Sequence, residues 1–168
     1  ITRYIESGGN VLWMTDPDTS QNIPALSTLL DVQWQKGTLV YPDFELLGTG
    51  HPAIALVAEY GGHPITRDLT DITIFPFSGV VFGAANSSWQ HYPFLASPER
   101  SWLETGSVDG DFGLDDDQGD LRGPLPIGLA MEKPINKDAA DTNKPELSQR
   151  IVVMGDSDFM ANGYLNNI

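Results

Sequence analysis

Cysteine is absent from the 168 residues. That removes thiol nucleophiles, disulfides, thiolate-bound zinc and iron–sulfur clusters together, and leaves the redox compartment open. Basic residues are scarce, nine Lys+Arg against 23 Asp+Glu, for a formal charge of −14. Such a field repels phosphate backbones and anionic headgroups, so no nucleic-acid partner is expected. Long apolar runs are missing as well. Residues 53–58 and 151–154 are among the longest, far short of the ~20 residues that a spanning helix needs. The piece shown therefore reads as soluble.

What is present is turn chemistry, 17 Gly and 12 Pro, dividing short apolar stretches. Ile1, Tyr4 and Ile5 share a helical face, and Gly8-Gly9 would end that helix. The apolar run 10–15 follows at once and stops at Asp16-Pro17, which reads as the second half of a βαβ unit. Residues 23–30 carry Leu26, Leu29 and Leu30 at helical spacing, with Pro24 tolerated in the first turn. Strands are expected at 37–41, 72–75, 79–82, within 93–105, at 126–131 and at 150–154, and 53–60 suits strand or helix, with Gly61-Gly62 and Pro64 close behind it favouring strand. Residues 106–120 read as a loop with almost nothing to bury, and 136–149 as a polar excursion. The run 150–154 is the plainest buried strand, passing through Gly155-Asp156-Ser157-Asp158 into a helix that Ser157 or Asp158 would cap. Both ends look like cuts through a longer chain, and one domain is expected over 1–168.

Two acidic strand ends stand out, Asp16-Pro17-Asp18 and Gly155-Asp156-Ser157-Asp158. Open α/β sheets hold ligands at strand C-terminal ends, so Asp16, Asp18, Asp156, Ser157 and Asp158 form the candidate ligand-binding set. Local duty competes with this reading, because Asp also makes turns and caps helices. The same segments resemble the haloacid-dehalogenase phosphatases, whose first strand ends Asp-x-Asp-x-Thr/Val and a later one Gly-Asp. That resemblance implies a Mg²⁺-dependent phosphatase using Asp16 and Asp156. The departures are Ser20 at the fifth motif position and an Asp158 that comes too early.

Other constellations are incomplete. Asp109, Asp111, Asp115, Asp116, Asp117 and Asp120 crowd one loop, but no frame supplies the alternating donors, Gly and distal acid of a calcium loop. His51, His63 and His91 lie in separate segments near turns, without ligand spacing. No Gly-x-Ser-x-Gly elbow occurs. Trp13, Trp34, Trp89 and Trp102 are scattered and read as core or rim. No catalytic residue, metal site or cofactor is expected.

Four further segments carry a resemblance. Tyr60-Gly61-Gly62-His63-Pro64-Ile65-Thr66-Arg67-Asp68-Leu69 looks like the His-Pro-Ile-Thr-x-Gly-Leu segment of domains built like class I glutamine amidotransferases, with Asp68 in place of the Gly. Ser7-Gly8-Gly9-Asn10 through Asp16-Pro17, then Ser97-Pro98-Glu99-Arg100-Ser101-Trp102, then Gly123-Pro124-Leu125-Pro126-Ile127 with residues 150–162, are similar in order and spacing to the GldG-like auxiliary components of ABC-type transport systems, of the gliding-motility kind. The resemblance implies an α/β fold, a flavodoxin-like or amidotransferase-like three-layer sandwich with a mostly parallel sheet. It implies a non-catalytic auxiliary domain on the periplasmic, outer face of a bacterial cytoplasmic membrane, with ABC permease and ATPase subunits as partners. Amidotransferase chemistry is not implied, since its nucleophile is a cysteine. A purely structural oligomerisation module, a homo-oligomer, is the third reading.

Overall fold

The computed structural model describes residues 1–17, 23–110, 112–135 and 147–164. Three short helices occur among them: α1 (Thr2–Glu6), α2 (Pro24–Leu29) and α3 (Phe44–Leu47). The strands are β1 (Val11–Met14), β2 (Val32–Trp34), β3 (Thr38–Val40), β4 (Ile54–Val57), β5 (Thr73–Pro76), β6 (Val81–Gly83), β7 (Gln90–Ala96), β8 (Trp102–Glu104), β9 (Leu121–Arg122), β10 (Pro126–Pro134) and β11 (Ser148–Met154). Every strand expected from the sequence has a counterpart; the one expected within 93–105 is two, β7 and β8, and β2 and β9 are additions.

The architecture corrects the expectation of a three-layer, mostly parallel α/β sandwich: the chain is mostly β. Its largest sheet has the order β1-β11-β10-β7, and only the β1–β11 pair in it is parallel. The pairs β2–β6, β3–β8–β9 and β4–β5 form small antiparallel sheets. The physical reason lies in the connections. Parallel neighbours in sequence need a long crossover, usually a helix, and the described segments between most strands hold none. A helix, a Gly turn and a strand do open the chain, but β1 finds its parallel partner at the far end of the sequence, from Val11 against Ile151 to Met14 against Met154. Loop closure over that separation is inexpensive, about 0.6 kcal/mol per doubling of length. Burying one Val, Leu or Ile side chain returns roughly 1.5–3 kcal/mol.

β11 explains its own composition. Ile151 and Val153 face a core with Ile5, Trp13, Leu26, Leu30, Val81, Leu129 and Met131. Val152 and Met154 face a second core with Leu39, Phe75, Val80, Leu103 and Ile127. A strand covered on both sides has no polar alternation. α1 and α2 cover the first face and the β4–β5 hairpin the second. Gln149 belongs to this strand rather than to a polar excursion. It is buried, and its Nε2 donates to the carbonyls of Ile5 at 2.7 Å and Gly9 at 2.6 Å, fastening the end of α1. Residues 136–146 of that excursion lie outside the described residues.

The expected helix after β11 is a pair of 3₁₀ turns, Asp158–Met160 and Asn162–Tyr164. The expected bare loop at 106–120 is corrected too. Val108, Phe112 and Leu114 pack against Val40, Ala53 and Trp102. Asp120 is buried and accepts from the Thr105 N–H, the Thr105 hydroxyl and the Asp115 N–H, each at 2.9 Å. Asp111 lies outside the described residues.

Candidate functional site

Because β1 and β11 are parallel neighbours, their C-terminal ends emerge side by side. The Thr15 N–H still donates to the Met154 carbonyl at 3.1 Å, which carries the pairing one residue past β1. The chain then turns at both ends, and the acids follow. Asp16, Asp156, Ser157 and Asp158 are thus brought together. Asp18 lies outside the described residues.

Asp16 clamps the neighbouring turn. Its Oδ1 accepts from the Ser157 N–H at 2.8 Å and its Oδ2 from the Ser157 hydroxyl at 2.7 Å. Ser157 therefore does not cap the following 3₁₀ turn with its side chain, and the predicted cap moves one residue back. Asp156 Oδ1 accepts from the Phe159 N–H at 3.0 Å. Phe159 in turn stacks on Phe75, with ring centroids 5.2 Å apart, so the turn is pinned to the second core.

Asp156 is the unusual member, with a relative exposure of 0%. Its Oδ2 has no hydrogen-bond partner among the described residues. Burial pushes its carboxyl up from an ordinary 3.8 to about 7. The backbone N–H groups of Phe159 and Asp158 pull it down, while the charges of Asp16 and Asp158 push it further up. Burial also raises the Tyr164 phenol, and the same three carboxylates add to that effect. Negative charge is disfavoured here by both desolvation and like charge.

A segment absent from the sequence-based set completes the site. Phe77, Ser78 and Gly79 cross the end of β11, where the Gly79 N–H donates to the Gly155 carbonyl at 2.6 Å. A Cβ on Gly155 would collide with the Gly79 carbonyl, so the two backbones meet only because residue 155 is glycine. Phe77 adopts φ 49°, a conformation L residues rarely take. The Ser78 hydroxyl is buried without a partner among the described residues. Pro76 and Gly79 mark a break between strands in the sequence, but nothing local shows that the break lands on β11.

The remaining candidates resolve simply. His51 and His63 serve turns, their Nδ1 atoms accepting from the N–H groups of Ala53 and Ile65 at 3.1 and 3.3 Å. His91 instead lies within β7, with its Nε2 buried and without a partner among the described residues. Trp13, Trp89 and Trp102 are core residues, and Trp34 packs edge-on against Trp13 at 5.3 Å. Among the described residues no three His, Asp or Glu side chains gather so as to hold a metal ion. Among the same residues no helix is long and apolar enough to cross a membrane. Compared with known proteins, the chain matches no family model and has no similar curated relative.

Proposed function

We propose that this chain is a non-catalytic binding and scaffolding domain of an ABC-type transport system, held on the outer face of a bacterial cytoplasmic membrane with the permease and ATPase subunits as its partners. The amidotransferase-like fold forms no part of this reading.

Its main support is the way the similar segments meet. β1 and β11, which carry the first and last of them, are hydrogen-bonded neighbours. The Ser-Trp segment is locked to the Gly-Pro-Leu-Pro segment: the Ser97 N–H donates to the Leu125 carbonyl and the Leu125 N–H to the Ser97 hydroxyl, at 2.8 and 2.9 Å, while the Gly123 N–H donates to the Ser101 carbonyl at 2.8 Å. Thr66, from the His-Pro-Ile-Thr segment, is buried and donates to the Phe94 carbonyl at 3.4 Å. Segments that meet in one connected body behave as a single pattern rather than as scattered coincidences. The non-catalytic part has its own support. Both oxygens of Asp16 accept from Ser157, and Asp156 is sealed from solvent, so both acids serve the chain's own turn.

The test is co-purification from detergent-solubilised membranes of the natural full-length protein with its co-expressed permease and ATPase. Recovery in fixed stoichiometry is expected, and elution of the chain apart from both subunits would overturn the assignment. Phosphatase turnover with Mg²⁺ that disappears in Asp16→Asn would overturn the non-catalytic part.

A further inference from the structure

Four buried side-chain polar atoms have no hydrogen-bond partner among the described residues: Trp34 Nε1, Ser78 Oγ, His91 Nε2 and Asp156 Oδ2. Two of them, on Ser78 and Asp156, flank the single bond from Gly79 N–H to Gly155 carbonyl. A carboxylate oxygen in that position costs more than the others. An ionised carboxylate has several lone-pair sites to satisfy, and an unpaired buried charge is far more expensive than an unpaired neutral group.

Apart from the backbone N–H groups of Phe159 and Asp158, the described surroundings disfavour ionisation. From the end of β1 comes Asp16, and from the 3₁₀ turn comes Asp158. Tyr164, on the last described turn, feels all three carboxylates. β5 contributes the apolar ring of Phe75, packed on Phe159. The crossing segment contributes Ser78 and Gly79, neither charged. β10 contributes the Ile127 carbonyl, an acceptor already bound by the Gly155 N–H at 2.8 Å. Among the described residues no cation offsets the acids at Asp156. Protonation is the direct remedy, because it removes the charge and leaves Oδ1 free to keep the Phe159 N–H.

We propose that Asp156 is a proton-binding switch for the strand-end face of this domain: closed over a neutral carboxyl when protonated, and opened to water when the carboxyl ionises. Opening acts on a defined element. Asp156 holds the Phe159 N–H, and the next residue, Ser157, is held by Asp16 across the seam. Hydrating the buried Asp156 loosens the turn that its Oδ1 holds, and so presents Asp16, Ser157 and Asp158 differently at the strand ends. The switch does not depend on the transport reading, since it needs no partner to operate.

The experiment is carboxyl-carbon NMR titration of the intact chain from pH 3 to 9, with amide exchange followed on the same samples and on Asp156→Asn. The carboxyl signal missing from the variant should titrate with a midpoint of about 7. Protection factors at Ser157 and Phe159 should fall about tenfold across that midpoint in the wild type and stay level in the variant, where the side chain cannot ionise. A midpoint at the ordinary 3.8 overturns the proposal. So does a midpoint of about 7 with unchanged protection at both residues. The wild-type titration stands without the variant, so poor folding of Asp156→Asn does not shelter the claim.

Discussion

Asp16 and Ser157, 141 positions apart in the chain, are joined by two hydrogen bonds, from the Ser157 N–H to one carboxylate oxygen and from its hydroxyl to the other. The pair exists because β1 and β11 run parallel in matched register, so that both strands end at the same height. A carboxylate accepting two bonds across a strand junction fixes the relative position of both turns.

Replacing that carboxylate measures the junction. Asp16→Ala removes both acceptors and should cost about 2–3 kcal/mol, in the range of hydrogen bonds to a charged group. Chemical denaturation should show a lower midpoint with an unchanged slope, since the surface exposed on unfolding stays the same. A loss under half a kcal/mol would mean that the clamp is not a stabilising contact.

Stability should depend on pH through Asp156, with a sign opposite to that of an ordinary salt-bridged Asp. Its folded value, about 7, lies above the ordinary 3.8. Between these values the folded state binds a proton that the unfolded state has lost, so this contribution is complete below pH 3.8, declines as pH rises and is gone above 7. At 1.36 kcal/mol per unit the full span is roughly 4 kcal/mol. The measurement is denaturant unfolding at intervals between pH 4 and 8, with Asp156→Asn as reference. The difference between the two proteins should grow in the variant's favour towards high pH, and parallel curves would contradict the prediction.

Asp120 should behave in the opposite direction. Burial raises its carboxyl, but the bonds from the Asp115 and Thr105 N–H groups and the Thr105 hydroxyl outweigh it and leave a net lowering. Its contribution is therefore present above pH 3.8 and lost as pH falls through the lowered folded value. Asp120→Ala should cost about 2–4 kcal/mol near neutrality and progressively less in acid, because three donors lose a charged acceptor. A cost independent of pH would leave packing, rather than the charge, as the explanation.

Gly155→Ala is a steric test of the seam. The new Cβ meets the Gly79 carbonyl, a backbone atom that cannot swing aside. Overpacking of this kind costs typically 1–3 kcal/mol. Gly62→Ala is the control, since among the described residues a Cβ there meets nothing within 4 Å. Thermal unfolding should drop clearly for the first substitution and shift much less for the second; equal shifts would refute the close approach.

Gln149→Leu tests a contact of another kind. The side chain joins α1 to β11 by two short bonds onto the Ile5 and Gly9 carbonyls. Losing both takes the side-chain donor from each carbonyl, so that Ile5 keeps only the Gly8 N–H at 2.9 Å, at a cost of about 1–3 kcal/mol. Hydrogen exchange in α1 should accelerate more than in β10, whereas uniform acceleration would mean global destabilisation alone.

Much of the element pattern was legible in the residues themselves. The run from Ile151 to Met154 is strand because four successive apolar residues demand burial on both faces, and Pro24 opens α2 because the first helical turn needs no N–H there. Gly8, at φ 90°, ends α1 where a left-handed residue is required. The strand-end acids Asp16 and Asp156 were legible too, because each directly follows an apolar run. These features depend on a residue and its near neighbours, and side-chain shape and polarity suffice to state them.

Direction and partnership were decided only by the tertiary structure. An apolar strand seeks cover without specifying which strand provides it or which way that strand runs, so the same pattern suited a parallel sheet and the antiparallel pairs that formed. Nothing near Asp156 in the chain distinguishes a solvated cap from a sealed carboxyl; its burial appears only in the packed chain, where the preceding residue, Gly155, lies against the distant Gly79. Local chemistry determines which residues need burial or hydrogen bonds. Which distant groups satisfy them, and which are left unsatisfied, follows from packing the whole chain at once.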